Sequence, residues 1–155
     1  MTSGRPAAAG AAAARPAPRI DADAAPFWDA LARRELVLER CSACDRRRFP
    51  PLVACPYCGA TEARRERASG RGALYSWIVV HRAFSDAFAA DAPYTVGTVE
   101  LDEGCRVLAR IEGADGRLAA GLRLRAAFRD HPHADATPAW TELYFTPQAE
   151  AAPHA

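Results

Sequence analysis

Cys41-Ser42-Ala43-Cys44 and Cys55-Pro56-Tyr57-Cys58 decide how the rest of this chain is read. Four of the five cysteines fall within eighteen residues, as two Cys-x-x-Cys pairs with ten residues between them. Two intervening residues let one tight turn aim both sulfurs at a single point. A second such turn, brought alongside by a short hairpin, completes a tetrahedron of thiolates. That is the arrangement Zn²⁺ takes in closed structural sites. Four thiolates leave no open position for water or substrate. The spacing therefore predicts a structural metal, one Zn²⁺ per chain, held by Cys41, Cys44, Cys55 and Cys58.

Three other readings of these cysteines stand beside zinc. Disulfides require an oxidising compartment, and the start of the chain has no continuous apolar run after a basic start, so secretion is not indicated. Iron is the second: Cys55-Pro-Tyr-Cys58-Gly59 looks like half of a rubredoxin site, and the cations Arg46, Arg47 and Arg48 beside a dianionic centre suit either metal. A degenerate site without metal is the third. The motif speaks for a metal and leaves the function open, because zinc ribbons serve transcription, ribosomes and metabolism alike.

The 155 residues suffice for one ordinary domain or two small ones, and half of them are apolar. All twenty basic residues are Arg, the net charge is +1, and that balance argues against a protein held on nucleic acid by bulk electrostatics. No apolar run approaches the eighteen or so residues of a membrane span. Thiol ligands without a secretion signal point to the cytoplasm.

The chain reads as four segments. Residues 1–22 are an Ala/Pro-rich tail with nothing large to bury besides Ile20, and residues 147–155 read the same way; both are expected to be disordered. Residues 23–68 hold a short helix and the metal ribbon. Asp23 is a candidate cap, Pro26 suits the first turn, and Phe27, Trp28 and Leu31 recur on one face, giving a helix from about residue 24 to 34. Phe27 and Trp28 serve either to dock that helix on its own domain or to face a partner. Leu36 to Arg40 is a short strand into the first knuckle, and Arg46 to Pro51 returns toward the second. Arg46, Arg47 and Arg48, with Arg64, Arg65 and Arg67, give an electropositive surface that is either solvated charge or a phosphate site.

Residues 69–146 change character. Ala73–His81, Tyr94–Leu101, Cys105–Ile111, Leu122–Phe128 and Trp140–Phe145 are β-branched, aromatic or alternating runs between Gly, Asp and Pro turns. Five such strands fit a small Greek-key barrel, with the OB-fold the natural candidate, so the fold class is mostly β. Gly97 lies mid-strand, where a bend or a close approach is expected. Cys105 reads as a buried small apolar residue. His131 and His133 read as solvent-exposed polar residues. In the loop from His81 to Pro93, His81, Arg82 and Phe84 can stack an adenine and pair a phosphate; alternatively Phe84 and Phe88 fold back over the barrel end.

The order of short aromatic helix, Cys-x-x-Cys…Cys-Pro-x-Cys-Gly ribbon and barrel opening on Gly70-Arg71-Gly72-Ala73-Leu74-Tyr75-Ser76-Trp77 resembles the DUF35 family, also described as zinc-ribbon/OB-fold acyl-CoA-associated proteins. Pro26-Phe27-Trp28, Pro93-Tyr94, Val99-Glu100-Leu101 and Pro138-Ala139-Trp140 extend the likeness over roughly residues 23–146. The resemblance implies a rubredoxin-like zinc ribbon joined to an OB-fold. It implies a scaffold that acts beside a thiolase, a hydroxymethylglutaryl-CoA synthase or a thiolase-like aldolase acting on steroid or aromatic side chains. Such a subunit helps bind or pass acyl-CoA, leaves the chemistry to its partner, and is expected in an α₂β₂ assembly. No catalytic residue carries over. Acyl-CoA or partner contacts are expected among Phe27, Trp28, Arg46, Arg47, Arg48, His81, Arg82 and Phe84. Two other functions remain: a single-stranded nucleic-acid-binding protein, for which Arg106, Arg110, Arg123 and Arg125 offer charge, and a free-standing acyl-CoA hydrolase, for which no supported nucleophile and base are found.

Overall fold

The computed structural model describes residues 15–133 and 138–149. Most of the two expected tails lies outside those residues. The described chain begins with helix α1 (Ala25–Ala32), followed by β1 (Val37–Cys41), β2 (Arg47–Arg48) and β3 (Ala63–Arg67). Five longer strands follow: β4 (Arg71–Val80), β5 (Tyr94–Leu101), β6 (Arg106–Ile111), β7 (Arg123–His131) and β8 (Trp140–Pro147). The first three strands form a sheet of order β2-β1-β3, and the other five close into a barrel of order β4-β5-β6-β8-β7. Every barrel pairing is antiparallel except β6 with β8. Closure removes most of the edges that so small a sheet would otherwise expose. The mostly-β fold class expected from the sequence is the one observed.

Helix α1 starts differently from expectation. Its cap position is Ala24, and the Asp21 carboxylate, not Asp23, accepts the Ala24 N–H at 2.8 Å. No side chain caps the helix itself; Asp21 instead closes a tight turn ahead of it that leads into Pro26. Phe27 and Leu31, four residues apart on one face, are buried with Ala30. Phe27 meets Phe49 of the ribbon edge-on at 5.3 Å, and Trp28 meets Trp140 of β8 edge-on at 6.2 Å. The helix is thus the wedge between ribbon and barrel. One continuous core runs from Phe27, Leu31, Leu36 and Leu38 through Ala68 into Leu74, Val99, Val107, Leu124 and Phe145.

Strand β3 was expected only as charged surface. Its sequence, Ala-Arg-Arg-Glu-Arg, has no apolar period to read. It becomes a strand because all five residues pair with β1, from Val37↔Arg67 to Cys41↔Ala63. Gly97 behaves as expected of a close approach: a Cβ there would sit 2.7 Å from Ile111 Cγ1 and 2.8 Å from Leu74 Cδ1. His131 departs from expectation. It ends β7, stacks on Trp140 at 4.2 Å and hydrogen-bonds Glu142 at 2.8 Å, so it is mostly buried. His133 is exposed.

Candidate metal centre and contact surface

The two knuckles are built alike. Asp45 N–H donates to the Cys41 carbonyl at 3.1 Å, and Gly59 N–H donates to the Cys55 carbonyl at 2.9 Å. Cys41 N–H donates to Arg46 and Cys55 N–H to Ala60, at 2.9 and 2.8 Å. The residue after each second cysteine is left-handed, Asp45 at φ 63° and Gly59 at φ 77°. That conformation turns the chain back on itself, and Gly and Asp are among the residues that tolerate it. Each knuckle therefore aims its sulfurs inward, as the spacing predicts.

The four sulfurs lie within 4.8 Å of one another. Cys41 Sγ to Cys58 Sγ and Cys44 Sγ to Cys55 Sγ are both 3.6 Å. A tetrahedron with Zn–S bonds of about 2.3 Å has S···S edges of about 3.8 Å, so the donors fit zinc. The electrostatics agree. Burial opposes ionisation of Cys55, but the N–H groups of Tyr57 and Cys58 and the neighbouring thiols outweigh it and pull the thiol down to about 6. The backbone N–H groups of Cys44 and Ala43 also lower Cys41. At Cys58 the Ala60 N–H favours the thiolate, yet the other three sulfurs and burial push it up to about 12. Backbone donors stabilise the first thiolates, while four negative sulfurs at this spacing require a cation among them.

Beside the knuckles sits a buried cation. Arg48 Nε donates to Glu39 Oε2 at 2.7 Å and Nη2 donates to the Leu52 carbonyl at 2.9 Å. Burial disfavours its charge, but Glu39 and Cys55 more than offset that and raise its pKa. Arg47 Nη2 donates to Glu66 Oε1 at 2.8 Å and Nη1 to the Glu103 carbonyl at 3.3 Å. Asp45 binds both Arg40 and Arg64, and Glu35 lies 3.3 Å from Arg67. The electropositive surface expected around the ribbon is therefore largely neutralised by its own carboxylates. Arg46 is exposed and lies over the Tyr57 ring at 4.8 Å.

The expected contact residues divide into two groups. Phe27 is buried in the chain's own core and Trp28 is half-buried against Trp140, so the aromatic pair is spent on docking α1. Arg47 and Arg48 are committed to Glu66 and Glu39. His81, Arg82 and Phe84 are exposed together on the loop from β4 to β5, and Phe84 is fully exposed. The expectation that both loop phenylalanines fold back holds for neither in full: Phe88 is half-buried under Arg15, and Phe84 is not covered. The exposed apolar residues of β4, Tyr75, Trp77, Ile78 and Val79, were missed as a surface. The available signal was eight consecutive uncharged residues, 73–80, in a chain that is one quarter charged. Cys105 is buried, and that burial pushes its thiol up. Among the described residues no helix is long and apolar enough to cross a membrane.

Comparison with known proteins now decides the family. Residues 28–63 match the family described as "ChsH2, rubredoxin-like zinc ribbon domain", and residues 65–129 match "ChsH2, C-terminal OB-fold domain". The solved structure described as "Ltp2-ChsH2(DUF35) aldolase" superposes with a TM-score of 0.71 at 35% identity, over 84% of this chain and 98% of that one. The chain belongs to the DUF35 family. Within DUF35 terms the four cysteines are the metal site of the zinc ribbon, and the closed barrel is the OB-fold. A "Probable enoyl-CoA hydratase alpha subunit" of Thermomonospora curvata is 42% identical over 101 residues, 65% of this chain and 31% of that protein. The "Benzoylsuccinyl-CoA thiolase subunit BbsA" of Thauera aromatica is 40% identical over 81 residues, 50% of this chain and 51% of that protein. The DUF35 chain thus spans about a third of the first relative and half of the second.

Proposed function

We propose that this chain is a non-catalytic accessory subunit of a thiolase-fold enzyme, a thiolase or thiolase-like aldolase, which it scaffolds while helping to bind or pass acyl-CoA. The observation that carries this reading is the near-complete overlay on the DUF35 chain of an aldolase. The thiolase-subunit relative supports it. The site chemistry agrees: the metal centre has four thiolate donors and so no open position for a substrate, and Cys105 is a buried thiol held protonated by its surroundings. Exposed Arg82 and Arg46 offer cations to the phosphates of acyl-CoA, and His81 and Phe84, exposed on the same loop as Arg82, offer rings to its adenine or to the partner. The assembly is α₂β₂ around a partner dimer, in the cytoplasm.

The hydratase relative favours a second reading, in which the same module stands beside an enoyl-CoA hydratase. Both readings place the chain with an acyl-CoA enzyme. The nucleic-acid reading has less support, because Arg110 and Arg123 pair with Asp91 and Asp102, and Arg106 lies beside Glu100.

The test is to tag the chain in its native host, purify it through nuclease and moderate salt, and rebuild whatever complex is found from separately purified proteins. A thiolase-fold subunit in fixed stoichiometry is the expected result. A hydratase in its place favours the second reading, and nucleic acid lost at high salt with no protein partner overturns both.

A further inference from the structure

Strand β4 outruns the barrel that it helps to close. It pairs with β7 only at Arg71, Gly72 and Ala73. Leu74 then donates to the Leu122 carbonyl and accepts from Gly121 N–H, at 2.9 and 2.8 Å. A register shift follows between Leu74 and Ser76, where Tyr75 is the extra residue. Beyond it, β4 continues to Val80 with β5 on one edge, and among the described residues nothing pairs with its other edge.

This edge lacks the charged or proline protection that is usual, and the bulge at Tyr75 lies before the open run begins. Natural sheets blunt open edges with charged side chains or proline. Residues 73–80, Ala-Leu-Tyr-Ser-Trp-Ile-Val-Val, contain neither. Both faces of the segment are also open. Trp77 and Val79 lie opposite Gly97 and Thr95, on the side of the barrel interior, and both remain partly exposed. Ile78 lies opposite Val96 on the outer side and is 63% exposed; Leu108, two strands away opposite Thr98 on the same outer side, is 69% exposed. A strand wetted on both faces gains little from its own side chains, so its length calls for a cover. The loop that follows carries Phe84, fully exposed.

We propose that residues 75–80 of β4, together with Phe84, form the surface on which the thiolase-fold partner docks, and that an extended apolar segment of the partner adds to the open edge as a further strand. The inference rests on the accessory-subunit reading above. Main-chain hydrogen bonds supply the pairing, Trp77 and Val79 on one face and Ile78 on the other set the register, and Phe84 is the anchor at the rim. The uncharged edge selects an apolar protein segment over a phosphate backbone. The chain's own first fourteen residues are a poor cover, since Met1 is their one large apolar side chain. The hydrogen-bonding edge and the contiguous aromatic loop distinguish this surface from the smaller exposed group Leu52, Val53 and Tyr57 on the ribbon.

The test uses the reconstituted complex of this chain with the purified partner. Ile78→Arg and Phe84→Ala are introduced separately, with Val53→Arg on the ribbon as the control; all three sites are exposed. The expected result is at least tenfold weaker binding for the first two and unchanged binding for the control, with zinc content and melting unaltered. Amide exchange of the unsubstituted complex provides a measurement free of folding effects: residues 75–80 become protected on binding. If the wild-type chain binds no thiolase-fold protein, the accessory-subunit reading and this surface fall together. If it binds tightly while Ile78→Arg binds equally well and residues 75–80 exchange unchanged, this surface alone is wrong. Loss of binding in Val53→Arg alone moves the interface to the ribbon. A self-dimer of the isolated chain that Ile78→Arg dissolves assigns the edge to a second copy and overturns the proposal.

Discussion

Arg48 shows how far a residue's role depends on where the chain puts it. In sequence it is the third of three adjacent arginines and reads as surface charge; in the fold its side chain is 2% exposed and held by Glu39. Breaking such a pair leaves a buried cation without compensation. Glu39→Gln is expected to cost about 3 kcal/mol in chemical denaturation of the zinc-loaded chain, the low end for a broken buried pair, and the double variant Glu39→Leu/Arg48→Met is expected to recover most of it. A loss in the double variant as large as in the single one would show that the pair itself is stabilising. Gly97 argues the same way from packing. Gly97→Ala drives a methyl into Ile111 and Leu74, and about 1–3 kcal/mol of destabilisation is expected in chemical denaturation. Full stability in Gly97→Ala would mean that the barrel interior is looser than the distances say. The cysteines and Gly97 were legible because their signals are local: a spacing, and a glycine inside a strand. The burial of Arg48 and the stacking of His131 on Trp140 were not, because both come from cross-strand register: Arg48 stands opposite Glu39 and His131 opposite Trp140, and no local spacing announces that pairing.

The barrel strands were legible to within a few residues, since each alternates or runs apolar between turn residues. Strand β3 was not, because five residues without an apolar side chain have no period; pairing with β1 alone makes them a strand. Its charges then bind the small sheet together. Glu66 of β3 reaches across β1 to Arg47 of β2, and that guanidinium holds the Glu66 carboxyl below its usual value of 4.5. A lowered carboxylate contributes stability that is present above its unfolded pKa and is lost as pH falls through the folded value. The difference in melting temperature between the wild type and Glu66→Gln should therefore favour the wild type at neutral pH and shrink toward zero as pH drops below about 4.5. Comparing the two proteins at each pH cancels the metal loss common to both. A difference that persists undiminished in acid would remove the Arg47–Glu66 pair from the argument. The open edge of β4 was half legible: the uncharged run was visible, but only the three-residue pairing with β7 shows that it outreaches the barrel.

Ribbon, helix and barrel share one core, so metal binding bears on the whole chain. In zinc-finger peptides metal supplies on the order of 10 kcal/mol of apparent folding free energy. Cys58→Ser is expected to abolish stoichiometric zinc and to melt the ribbon first, with loss of the tertiary signal from Trp28 and Trp140 where the helix meets the barrel. Retention of one zinc per chain with unchanged melting would contradict the structural role of the centre. The central claim is that the chemistry belongs to a partner and the scaffold to this chain. The direct measurement is acyl-CoA turnover by three samples of equal purity: this chain alone, the thiolase-fold partner alone, and the two reconstituted together. No turnover by the chain alone, and turnover by the complex that exceeds the partner's own, is the predicted result. Turnover by the isolated chain, surviving removal of every thiolase-fold contaminant, would contradict the claim.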